Sequence, residues 1–313
     1  MENNRPKMDF KERFYWFKYD VKMSKTYYLF LLPYALVFIT FMVLPVFISI
    51  FYSFTYYNVF EEAKFIGLQN YTNLLLGDDI FLRAVTNTLL MALITGPVGY
   101  LMAFIFAWFI NGLPRFLRAF AVLVFYAPTI SGAVYMIWSL IFAGDQYGYV
   151  NSLLRSFGIT KEGGQPFYFL TTPEYMMPII LVVILWMSLG AGFLAFVAGL
   201  QTIDRSQYEA GYIDGIRNRW QELWFITLPN MKGMLLFGAV MAITQSFGVA
   251  DVTEALCGFP STDYAVHTIV NHLKDYGALR FEMGYASSIA TILFLVMILC
   301  NRYIQKAIGR IGK

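Results

Sequence analysis

Of the 313 residues, 58% are hydrophobic and only 14% charged, the formal net charge is +3, and the charges fall in short blocks instead of alternating with apolar residues. This composition excludes an ordinary water-soluble globular chain and points to a polytopic membrane protein with one transmembrane domain, because lipid takes up most of the apolar surface. The two cysteines, Cys257 and Cys300, imply neither a disulfide nor a metal site.

In chain order, residues 1–27 form a polar tail in which bases alternate with Phe14, Tyr15, Trp16, Phe17 and Tyr19, the pattern of an interfacial anchor helix and not of a cleaved signal peptide. A hydrocarbon core of ~30 Å requires about 20 apolar residues per helix. Six stretches meet that requirement, at 28–54 (with Pro33 and Pro45), 85–110, 119–142, 176–200, 233–250 and 284–301. Together, 28–305 is expected to be the transmembrane domain and 306–313 a short tail. The fifth stretch is the least regular, since it ends at Asp251 and Glu254.

Seventeen of the 23 Lys and Arg residues fall in the N-terminal tail, the connections after the second and fourth stretches, and the C-terminal tail, against six in the other three loops. The positive-inside rule then predicts both termini and the 201–232 loop on the cytoplasmic side.

Several chemistries are excluded. No G-x-x-x-x-G-K-[ST] stretch occurs, so the chain is not expected to hydrolyse a nucleotide. The only histidines, His267 and His272, are five apart in an outer loop, the wrong spacing for a zinc pair on one helical face, and read as surface or interface residues. Ionisable groups inside the spans are scarce, with Arg118 starting the third and Asp251 and Glu254 ending the fifth. That scarcity argues against a proton-coupled transporter or a membrane protease. No catalytic, metal or nucleic-acid-binding residues are expected.

The 201–232 loop is the most specific segment. Asp204 followed by Gln207 predicts a capping box and a helix start. Ile213, Ile216, Trp220, Leu223 and Trp224 then follow the spacing of one helical face, with Glu209, Asp214, Arg217, Arg219 and Glu222 on the remainder. A surface helix explains that stripe but not Gly211 and Gly215, each of which costs ~1 kcal/mol in a helix interior. Small residues at Ala210, Gly211 and Gly215 let another backbone come close, or let the chain bend between two short helices, and Pro229 ends the segment. A docking element is the better physical reading.

Tyr208-Glu209-Ala210-Gly211, Asp214-Gly215 and Ile226-Thr227-Leu228-Pro229 resemble the EAA loop of ABC-transporter permeases, in the form found in carbohydrate importers. Departures are Gly211 where alanine is usual, Ile216 for another alanine, and Leu223 where an aromatic is common. The likeness covers nearly the whole chain: "LLPYALVFITFMVLPVFISIFYSFT", "FIGLQNY", "NTLL", "APTISGAVYMIW", "YGYVNSLL" and "GFP" look like maltose- and glycerol-phosphate-type permeases, of the first of the two permeases such systems use. Asn271 and His272 stand where an aromatic pair is usual, which suggests an outer loop adapted to a different binding protein.

The resemblance implies an all-α permease of the type I importer fold in a bacterial inner membrane. It would pair with a second, homologous permease, two ATPase subunits that bind ATP and Mg, and an extracytoplasmic solute-binding protein. Tyr208, Glu209, Ala210, Gly211, Asp214, Gly215 and Pro229 would form the coupling element that enters a groove on one ATPase, with Glu209 facing a basic residue there. A sugar needs hydrogen-bonding groups and a flat apolar surface. Trp186, Met187, Ser188 and Ala191 of the fourth span, with Thr244, Gln245 and Gly248 of the fifth, lie where resembling permeases place their solute. Interhelical hydrogen bonding and close packing explain the same polar and small residues equally simply. Alternatives are a relative carrying an amino sugar, a glycerophosphodiester or an oligosaccharide, or a membrane enzyme such as a lipid-linked glycosyltransferase built around Asp251 and Glu254.

Overall fold

The computed structural model describes residue 16 and residues 19–159 and 165–308. Phe14, Tyr15 and Phe17 of the expected interfacial anchor and the end of the C-terminal tail lie outside the described residues.

Among the described residues the regular structure is helical apart from a small hairpin, β1 (Thr55–Tyr56) against β2 (Lys64–Phe65). Helix α1 runs through Lys25–Tyr52, with a π turn at Ile39–Val43 just before Pro45. Proline cannot donate the backbone hydrogen bond of a regular turn, and such a bulge is one way to accommodate it. None of the residues from Lys25 to Tyr52 is buried, and the helix packs on the rest of the fold at its C-terminal end. After the hairpin come α2 (Gln69–Leu76) and α3 (Asp79–Asn111), whose N-cap Asp78 accepts a hydrogen bond from the Phe81 N–H at 2.8 Å.

The third expected span, 119–142, is not one helix. It divides into α4 (Arg115–Ile130) and α5 (Val134–Ile141), bent by 84°. Pro128 removes a helical donor, and Ser131 and Gly132 after it are weak helix formers, so Ser131 turns to an extended conformation (φ −95°, ψ 112°). Helix α6 (Tyr149–Ser156) follows.

The fourth span also breaks, into α7 (Pro173–Trp186) and α8 (Ala191–Gln201), with Gly190 at φ −100°, ψ −141°. Beyond it lie α9 (Arg205–Ile213), α10 (Arg219–Glu222) with its helical continuation to Asn230, and α11 (Lys232–Phe247). The fifth span does not stop at its acids. After a kink at 248–250 it resumes as α12 (Asp251–Cys257). Helices α13 (Ile269–Lys274) and α14 (Met283–Ile308) complete the chain.

Among the described residues, five helical runs are long and apolar enough to cross a membrane, with α7–α8 and α11–α12 each counted as one, or up to six if the bent α4–α5 pair is one span. Helices α3, α8 and α11 pack together, and α14 closes on α11. Phe104, Ala107, Phe193, Phe196, Leu200 and Leu235 form the centre of the main core. Contact there is close enough that a Cβ added at Gly238 would lie 2.2 Å from the Phe196 ring, so only glycine fits.

Candidate functional site

A cavity of about 320 Å³ opens where the helices break. Met187 and Ser188 reach it from the α7–α8 break, and Thr244, Gln245 and Gly248 from the end of α11. The sequence placed Trp186 and Ala191 beside them, but neither lines the cavity. The break takes the chain out of helical phase. Trp186 therefore packs edge-on against Trp138, ring centroids 5.3 Å apart, while Ala191 begins α8. Tyr100 of α3, Thr129 of α4, Tyr135 of α5 and Asp251 also line the cavity. Sequence reasoning missed these because each is a single polar group in an apolar run, or was read as a span end.

The polar groups are not equivalent. Ser188 donates its hydroxyl to the Leu185 carbonyl at 2.6 Å and Thr244 donates to the Val240 carbonyl at 2.9 Å, so only their acceptor capacity is left for a ligand. Thr129 donates to the Leu189 carbonyl at 3.1 Å, which ties α4 to the break. Gln245 is exposed on the cavity wall, and a Cβ at Gly190 would sit 2.9 Å from its amide nitrogen. Glycine at 190 thus makes room for the amide. Two tyrosines, an amide, hydroxyl oxygens and the Asp251 carboxylate set in a largely apolar wall are groups suited to a polyhydroxylated molecule.

The 204–230 segment joins α8 to α11 and is a bent pair of short helices. The single apolar face expected from Ile213 to Trp224 does not exist, because α9 ends at Ile213 and Gly215 adopts a left-handed φ of 95°. A glycine cost inside a helix therefore applies at Gly211 and not at Gly215, where the positive φ favours glycine. Asp204 caps α9, but its carboxylate accepts from the Ser206 N–H at 3.1 Å, and no reciprocal capping box forms. Gln207 instead accepts at 2.6 Å from the Asn230 amide.

That bond is one of several that fold α9 onto the second half of the segment. Tyr208 and Thr227 hydroxyls meet at 3.1 Å, Tyr212 donates to Glu222, and Gln221 accepts from the Arg217 N–H at 2.8 Å. The Glu222 carboxylate, by hydrogen bond and charge, pushes the exposed Tyr212 phenol above its ordinary pKa. Gly211 is buried against Ile226 and Ile216. Glu209, Ala210, Asp214, Gly215 and Pro229 are exposed. Tyr212, Ile213, Trp220, Trp224 and Phe225 are exposed with them, a concentration of large apolar surface beside charges.

At the opposite end of α3, His267 and His272 are only 3% and 1% exposed, not surface residues as their sequence position suggested. Helix α13 packs against α3 and α14 and carries His272 inward, with His267 just before its N-cap. The His272 Nε2 lies 3.1 Å from Asp78, His267 and His272 rings meet at 3.4 Å, and Tyr285 donates to Asp78 at 2.9 Å. Burial, and then the neighbouring His272, pushes His267 down to about 4. Burial also lowers His272, against the pull of Asp78. Burial alone would raise Asp78, but the Phe81 N–H, His272 and Tyr285 outweigh it and hold the carboxyl below its usual range.

Asn271 is likewise buried, donating to Glu254 at 2.8 Å. The residues that replace the usual aromatic pair therefore knit the fold together instead of presenting a surface. Asp251 and Glu254 share Lys274 at 3.0 Å each, the arrangement of an ion-pair cluster.

Residues 88–310 match the family model of the binding-protein-dependent transport system inner membrane component, and that match takes in the cavity, the bent segment and every helix from α4 onward. The chain belongs to this family. Membership makes it a permease-type transport component and not an enzyme. It is 29% identical to the arabinooligosaccharides transport system permease protein AraP of Bacillus subtilis (strain 168), over 90% of this chain and 88% of that one. It is 30% identical to the lactose transport system permease protein LacF of Rhizobium radiobacter, over 75% of this chain and 78% of that one. A chain of a bacterial alginate ABC transporter, solved with an alginate pentasaccharide-bound periplasmic protein, shares the fold with a TM-score of 0.72 at 23% identity, covering 91% of this chain and 94% of that one.

Proposed function

We propose that this permease is the membrane subunit of an ATP-driven importer that moves a sugar into a bacterial cytoplasm by alternating access. The observation that carries the reading is connectivity. Two helices that line the cavity, α8, which starts just after Ser188 and supplies Gly192 and Phe196, and α11, which supplies Gln245, are joined at their other ends by the bent 204–230 segment. Displacing that segment moves both cavity walls. The named cargoes of two relatives, arabinooligosaccharides and lactose, support a saccharide, as do the tyrosines and amide of the cavity.

In this reading the α4–α5 pair is one bent span, giving six, with 28–305 as the permeation domain between an N-terminal tail (1–27) and a C-terminal tail (306–313). Both termini and the 201–232 loop face the cytoplasm of an inner membrane. The 208–229 segment is the EAA-type coupling element. Its exposed apolar side chains enter a groove on one of two ATPase subunits, and Glu209 pairs with a basic residue there. ATP and Mg belong to those subunits. A second, homologous permease completes the pathway, and an extracytoplasmic binding protein delivers solute. Ser188, Thr244 and Gln245 accept or donate hydrogen bonds to it, with Met187 and Gly248 shaping the wall. Trp186 and Ala191 support that wall from behind. Nucleotide closure biases two packed arrangements of the bundle, which is how a cytoplasmic event reaches the cavity.

Expression with neighbouring genes and purification on this chain should bring down an ATPase and a second permease. Glu209→Lys should abolish uptake of radiolabelled sugar while leaving the protein in the membrane. Recovery of neither partner, or unimpaired uptake in that variant, refutes the assignment.

A further inference from the structure

We propose that Trp108, at the last turn of α3, is the positioning residue that carries movement of the coupling segment into the bundle, through its ring contact with Trp220. The inference rests on the docking role given to the 204–230 segment above and adds the route by which its motion leaves that segment.

The segment is continuous with α8 and α11, so those two walls move with it covalently. The third wall of the cavity is α3, which supplies Thr95 and Tyr100 and has no such link. Its connection is by side chains alone. The Trp108 and Trp220 rings lie 5.2 Å apart between centroids at 46°, within the range where aromatic pairs attract. Beside them a Cβ at Gly112, the C-cap of α3, would sit 3.3 Å from both terminal nitrogens of Arg219. Trp108 is half-buried and packs against the main core. Trp220 is 68% exposed, so one part of its ring rests on Trp108 while the rest faces outward, where a docked partner would press.

A small pocket of about 110 Å³ lies alongside, lined by Trp108, Gly112, Tyr208, Arg219 and Glu222 among others. The ring contact between segment and α3 therefore borders open space, while Leu223 and Leu228 of the segment rest on the core that α3 shares with α8 and α11. Helix α3 is continuous from Trp108 to Tyr100, about 12 Å at helical rise, so displacement at one end is delivered at the cavity. Loss of the ring leaves α9, with its Glu209, unaltered.

The test uses the whole complex in proteoliposomes, with Cys257→Ala, Cys300→Ala and Gln245→Cys in this chain, so that maleimide labelling reports access to the cavity. Mg-ATP with vanadate should change the labelling rate by about tenfold in that background. Trp108→Ala should retain co-purifying ATPase and ATP hydrolysis but lose the labelling change, and Trp108→Phe, which keeps a ring, should recover it. A labelling change in Trp108→Ala equal to that of the background overturns the proposal. So does loss of the ATPase from Trp108→Ala, since the contact would then hold the docking surface instead of transmitting from it. If Trp108→Ala does not accumulate in the membrane, Trp108→Leu, which retains apolar volume against the core, is read by the same two outcomes. Absence of the ATPase, or of any nucleotide response, in the Trp108 background refutes the importer assignment and this inference with it. A response surviving in Trp108→Ala or Trp108→Leu removes this inference alone.

Discussion

Replacing Gly211 by alanine restores the residue usual in loops that resemble this one, yet here it should destabilise the segment. A Cβ on Gly211 would lie 2.6 Å from Ile226 Cδ1 and 3.1 Å from Ile216 Cδ1, and Ile226 is buried. Alanine gains about 1 kcal/mol of helix propensity over glycine. Overpacking a filled site costs about 1–3 kcal/mol, so the single substitution should lose roughly 1 kcal/mol. Ile226→Val alone removes Cδ1 and should also lose about 1 kcal/mol. Combined, the new Cβ occupies the space left by Cδ1 and the propensity gain is kept. The double variant should then return near the parent, a coupling of about 1–2 kcal/mol between the sites. Hydrogen exchange of residues 205–230 in the purified complex measures it, at about 1.4 kcal/mol per tenfold in rate. If Gly211→Ala alone slows exchange, or the two effects add, the close contact does not govern this joint.

Gly238→Val places a side chain against the Phe196 ring and should cost several kcal/mol, seen as loss of membrane accumulation, whereas Gly233→Ala, with open space around it, should be tolerated. Gln245→Ala should weaken sugar uptake through a raised half-saturation concentration while complex assembly is unchanged; equal uptake kinetics would remove Gln245 from the site. Acid should weaken the α3–α13 end of the fold. Between an unfolded value of 6.5 and a folded value of about 4, His267 is protonated only in the unfolded chain, so stability falls as pH drops through that window and levels off below it. The slope reaches about 1.4 kcal/mol per pH unit for one proton, and His272, shifted in the same direction, adds to it. Asp78, with its folded pKa depressed, adds a further loss below its unfolded 3.8. Thermal unfolding across pH should show this slope, and His267→Phe should flatten it.

The apolar runs were legible because about 20 consecutive apolar residues have few other uses, and among the described residues five such helical runs are present with a bent pair at the remaining position. The breaks at 131–133 and 187–190 were not. Proline and glycine within an apolar run are compatible with a straight span, a kink or a break, and what neighbouring helices offer the freed backbone groups decides which. Thr129 meeting the Leu189 carbonyl is such an offer, and it joins residues 60 apart in the chain.

The 204–230 segment shows the same division. Its turn residues, its charges and its resemblance to a coupling loop were all readable in the sequence. Periodicity alone drew its apolar residues onto one helix, because periodicity assumes a continuous helix and Gly215 interrupts it. His267, His272 and Asn271 mark the largest difference. Polar residues in a loop read as exposed, but here His272 meets Asp78, 194 residues away in the chain, Asn271 donates to Glu254, and His267 is buried against His272. By itself the sequence determined that this chain enters a membrane and carries a charged segment broken by glycine between two of its apolar runs, since both follow from local composition and spacing. Tertiary structure decided where the helices break, which polar groups share a cavity and which are buried, because each depends on partners brought together from separate helices.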